Sequence, residues 1–66
     1  MTMNTTKIPP MHHGLCTTVF ERTTEGFLKI RATVYRSDIE VDTLWFSTLD
    51  AAKRWAEEMM ASETRH

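Results

Sequence analysis

His12-His13 followed by Cys16 is the first group of residues in this chain whose types and spacing bear on chemistry. Imidazole and thiolate bind zinc tetrahedrally, or pair as base and nucleophile. A zinc site of this kind takes paired ligands from two halves of a chain, and here the second half offers only His66 at its end. A nucleophile pair also needs a third group to orient the base and donors for an oxyanion, and the sequence supplies neither. The expectation is therefore no metal and no cofactor, with Cys16 a small apolar residue of the interior. Carboxylates are present as Glu40, Asp42, Asp50, Glu57 and Glu58, but the first two alternate on the polar side of a strand and the last two lie on a solvated helix face. No pair stands in the apolar setting that would split two proton affinities for acid and base work. Gly14 and Gly26 are the only glycines, too few for a phosphate-cradling loop. These residues describe a protein that is not an enzyme.

The second group is Lys29 and Arg31 among Phe27, Tyr35, Leu44 and Phe46, and whether these residues meet depends on the elements that carry them. Residues 1–14 hold Pro9-Pro10 and end in Gly14 without a helical or strand period, and read as a flexible N-terminal arm. From Leu15 the segment LCTTVFER is rich in Thr, Val and Phe and suits a strand ending at a Thr24-Glu25-Gly26 turn. That turn sets Phe20 opposite Ile30 and Glu21 opposite Lys29. Residues 27–35 alternate cleanly, with Leu28, Ile30, Ala32 and Val34 on one side and Phe27, Lys29, Arg31, Thr33 and Tyr35 on the other. A bend at Ser37-Asp38 then returns the chain so that Val34 pairs with Val41 and Ile30 with Trp45. In this register Tyr35 faces Glu40, Thr33 faces Asp42, Arg31 faces Leu44 and Lys29 faces Phe46. One face becomes a core of Leu28, Ile30, Ala32, Val34, Val41 and Trp45. The other becomes an apolar patch threaded by two cations.

Ser47, with an acidic residue three positions on, is the expected N-cap of a helix over LDAAKRWAEEMMASE. Leu49, Ala52, Ala56, Met59 and Met60 fall on one stripe, Trp55 at its edge, and Lys53, Arg54, Glu57 and Glu58 on the opposite side. The architecture expected is α+β: a three-stranded antiparallel meander with one C-terminal helix across one face. It places the arm at residues 1–14, the folded unit at 15–62 and a tail at 63–66.

Sixty-six residues with one cysteine allow a single small domain and no internal disulfide, which fits a reducing compartment. MTMNTTKIPPMHHGL has one lysine and no apolar run, so it reads as neither a secretory signal nor a membrane span, and the expected location is the cytoplasm. Eight Lys and Arg against nine Asp and Glu give a net charge of −1, which removes the overall basic field of most small nucleic-acid binders.

Two functions fit a sheet face left uncovered by the single helix. Phe27, Lys29, Arg31, Tyr35, Leu44 and Phe46, rimmed by Glu40 and Asp42, have the make-up of a protein interface, for a second copy or a larger target. Short accessory proteins of bacteria and their phages are of this kind. The alternative is DNA read by the same face. A three-stranded sheet with WFSTLDAAKRWAEE leading from its last strand into one helix resembles, over residues 15–62 and in layout alone, the AP2-type and integrase arm-type DNA-binding domains. Those families set several Arg and Trp residues on the exposed face, whereas Glu40 and Asp42 stand here beside two cations and repel phosphate. The resemblance assigns no residue a role.

Overall fold

A computed structural model describes residues 8–23 and 29–64. These form strands β1 (Met11–His13), β2 (Cys16–Arg22), β3 (Ile30–Arg36) and β4 (Ile39–Phe46), followed by helix α1 (Leu49–Glu63). The strands make one antiparallel sheet in the order β1-β2-β3-β4. The α+β class and the C-terminal helix agree with expectation, but the sheet has four strands rather than three.

The additional strand lies inside the segment read as a loose arm. Three residues, two of them histidine, are too few to show an alternation. Pairing defines β1 instead, with Met11 opposite Thr18, His12 opposite Thr17 and His13 opposite Cys16. The turn between β1 and β2 favours glycine on two counts: Gly14 has a φ of +60°, and a Cβ there would lie a tight 3.1 Å from Thr64 Cγ2. Ile8 and Met11 pack against the core on the helix side of the sheet.

Between β2 and β3 the register differs from expectation by two residues, with Phe20 opposite Ala32 and Glu21 opposite Arg31. An even shift changes partners and preserves faces. The Thr23 amide donates to the Lys29 carbonyl at 2.7 Å, so the connection is longer than a three-residue turn. The Thr24-Glu25-Gly26 turn, Phe27 and Leu28 lie outside the described residues.

Between β3 and β4 the difference reverses a face. Ser37 (φ 51°) and Asp38 (φ 68°) form the expected two-residue bend, both left-handed as this hairpin turn demands. Tyr35 then faces Glu40, also as expected, but a bulge follows and Val34 pairs with Asp42 instead of Val41. Thr33 opposes Thr43, Ala32 opposes Leu44, Arg31 opposes Trp45 and Ile30 opposes Phe46. An unbulged strand would send Thr43 and Trp45 toward the helix beside Ala32 and Ile30. The extra residue substitutes Leu44 and Phe46 at those places while Val41 still packs against the core. Local polar bonds suit the bulge: the Thr43 amide donates to Asp42 Oδ1 at 2.8 Å and the Thr43 hydroxyl to Glu40 Oε2 at 3.0 Å.

Helix α1 is capped by Thr48, one residue later than expected, whose hydroxyl accepts from the Ala51 amide at 3.2 Å. Asp50 sits in the first turn, where the helix dipole favours it. At the other end the Thr64 hydroxyl donates to the Met60 carbonyl at 3.0 Å. The apolar stripe seats as expected: Ala52, Ala56 and Met60 are buried, with Leu49, Trp55 and Met59 packed around them. Facing them are Cys16, Phe20, Ile30, Ala32 and Val34. Alanine at positions 52 and 56 lets the helix backbone approach the sheet closely.

Thr18 is the polar exception in this core. It is fully buried, and its hydroxyl has no hydrogen-bond partner among the described residues. A buried hydroxyl without a partner costs about 1–3 kcal/mol. Thr18→Val keeps the shape and removes the hydroxyl, so it is expected to stabilise the fold by about 1 kcal/mol and raise Tm by about 4–8 °C. Thermal melts of the two proteins check this, and an unchanged or lower Tm refutes it.

Candidate protein-binding face

With α1 on one side, no described residue covers the opposite side of the sheet, the open face. It is built from the odd-numbered residues of β2 and β3, and after the bulge by Thr43 and Trp45 of β4. At its centre Val19, Thr33 and Thr43 form a row across three strands, with the Thr43 hydroxyl 3.2 Å from that of Thr33. At one end the guanidinium of Arg31 lies over Trp45, 5.7 Å from the ring centroid, and forms an ion pair with Glu21 on β2. Arg31 is thus held by two neighbouring strands at once. Beside it Glu21, Arg22, Thr23, Arg31 and Trp45 line a depression of about 210 Å³.

Of the six residues the sequence assigned to this face, Arg31 and Tyr35 stand on it. Lys29 is exposed just before β3, where its amide donates to the Phe46 carbonyl at 3.0 Å. Leu44 and Phe46 are on the other side: Leu44 is opposite Ala32, and Phe46 packs on Trp55 with ring centroids 5.5 Å apart. Phe27 lies outside the described residues. In place of Leu44 and Phe46 the face carries Trp45, 43% exposed, and Val19, 40% exposed. The signal for this exchange is in the sequence. A straight register opposes Thr43 to Ala32 on the covered side, a polar residue at a core position, and a one-residue bulge removes the conflict.

The histidines divide between the two sides. His12 points to the open face, with Nδ1 3.2 Å from the Thr17 hydroxyl, while His13 Nδ1 is 3.4 Å from the hydroxyl of Thr64 at the helix end. Cys16 is buried in the core as a small apolar residue. Among the described residues no three His, Cys, Asp or Glu side chains converge as ligands, and no helix is long and apolar enough to cross a membrane.

No protein-family model, no curated protein and no solved structure matches the chain.

Proposed function

We propose that this is a small non-enzymatic protein-binding module that engages its partner with the helix-free face of its sheet. Trp45 is the observation that carries the reading. A large aromatic ring is held outward by a bulge and braced by Arg31, on a face that also carries threonines, Val19, Tyr35, Glu21 and Glu40. Trp, Tyr and Arg are the residues that dominate binding energy at protein interfaces, and a braced ring loses little conformational freedom on contact. Nucleic acid is the weaker reading. The charge of Arg31 is answered by Glu21, and Glu40 adds a second carboxylate, so phosphate meets little attraction here.

Site-specific photo-crosslinking in the producing cells tests the proposal. A benzophenone side chain at position 33, in the middle of the face, is expected to yield a discrete protein adduct that Trp45→Ala abolishes, while the same group at position 57 on the outer side of α1 yields none. Equal adducts from both positions, or adducts to nucleic acid alone, overturn it.

A further inference from the structure

We infer that the free edge of β4 is a docking strand for an extended segment that alternates basic and apolar residues. The inference rests on the reading that the protein works by binding another protein, and it adds how the partner is held and what chemistry it brings.

The two edges of the sheet are built differently. β1 is three residues long and follows Pro9-Pro10, a short edge of the kind that resists further pairing. β4 runs for eight residues, and its outer side pairs with no strand among the described residues. Of the five large apolar side chains exposed on the described residues, Leu15, Val19, Ile39, Leu44 and Trp45, three belong to β4. Edge strands are usually blunted with lysine, yet here every charged residue between Arg36 and Lys53 is acidic: Asp38, Glu40, Asp42 and Asp50.

That combination discriminates between partners. Antiparallel pairing of β4 with a second copy brings Glu40 and Asp42 of both chains into one seam, where like charges repel. A basic strand relieves the same carboxylates. Glu40 and Trp45 face the open side, while Leu44 faces the helix side with Asp42 next to it. The basic residues of an incoming strand therefore meet a carboxylate and a ring on the open face, and its apolar residues meet Leu44 on the other, where Asp42 is within reach of a neighbouring lysine. Backbone hydrogen bonds to the unbulged stretch from Thr43 to Phe46 supply the rest of the affinity, as in other cases of strand addition.

The test uses the full chain and a capped eight-residue peptide of alternating lysine and valine, followed by amide NMR and hydrogen exchange. The expected result is slowed exchange along β4, with little change on β1. N-methylation of alternate peptide amides should abolish it, since strand addition needs those donors. The double variant E40K/D42K is expected to weaken lysine–valine binding by about tenfold and to admit a glutamate–valine peptide instead. E40Q/D42N, which keeps size and removes charge, should lose the preference without reversing it. No protection of β4, or an N-methylated peptide that binds as well as its parent, overturns the inference. Protection confined to β2 and β3 also overturns it while leaving the open face as the binding surface. Loss of position-33 crosslinks in cells with β4 protection intact separates the opposite case.

Discussion

Phe46→Lys is expected to destabilise the fold by about 3 kcal/mol or more, whereas Trp45→Lys, one residue earlier, is expected to cost about 1 kcal/mol. The asymmetry follows from the bulge. Phe46 stands opposite Ile30 and packs on Trp55, so lysine there loses ring contacts with both and forces an ammonium toward the core. Trp45 is on the open face, and its replacement forfeits mainly the stacking of Arg31 and sets two cations side by side. Urea melts of the two variants measure the difference directly. A straight strand, without the extra residue, reverses the order: Trp45→Lys then empties the core and Phe46→Lys is tolerated. Finding that reversed order refutes the register, and with it the open face described above. If the register holds, Trp45→Lys is also the folded variant in which partner capture by that face should fail.

Where sequence and structure agree, the pattern was carried by long, regular elements. Ile30, Ala32 and Val34 are buried as their alternation requires, and Ala52, Ala56 and Met60 as the helical period requires. These assignments depend only on neighbours a few residues away. The assignments that changed depend on what lies across the sheet. β1 is three residues long and owes its existence to β2, so nothing within MHH announces it. Register between β2 and β3 is set by a connection whose length its flanking residues do not encode. The bulge is the most consequential case, because a single extra residue exchanges the faces of Leu44, Trp45 and Phe46 together. IEVDTLWF holds apolar residues of both parities, so its pattern admits either phase; only the position of Thr43 opposite Ala32 argues for the bulge. The expected apolar second face was a product of the wrong phase. What replaces it is a threonine-rich surface with one braced tryptophan and one neutralised arginine.

The face and the edge converge at Trp45. Its ring belongs to the open surface, while its backbone belongs to the unbulged half of β4. The same residue therefore offers a partner a side-chain contact and an in-plane hydrogen-bonding edge. A bulge nearer the chain end would have left an ordinary core tryptophan and an acidic edge without an anchor.

Ile30→Ala is expected to cost about 2–5 kcal/mol, and in a domain of this size that is a large part of the whole. At about 0.05–0.15 kcal/mol per residue, 66 residues yield a stability of about 3–10 kcal/mol. Ile30 is 1% exposed, between Arg22 and Phe46 in the ladder and beneath α1, so the lost methyl groups leave a cavity that two strands and a helix must all move to fill. Ile30→Val, which removes a single methylene, should cost about 0.5–1.5 kcal/mol and provides the scale. Denaturant melts of both give the comparison, and an Ile30→Ala protein that melts like its parent shows that α1 is not seated on β3. The same variant links stability to function. A partner that binds only the folded chain adds about 2.7 kcal/mol at a hundred times its dissociation constant, enough to offset the lower end of the loss. Ile30→Ala should then recover a cooperative transition in the presence of the partner, with Ile30 itself remote from the surface that binds. Recovery with the lysine–valine peptide and none with its N-methylated form would tie that rescue to strand addition at β4 rather than to nonspecific charge.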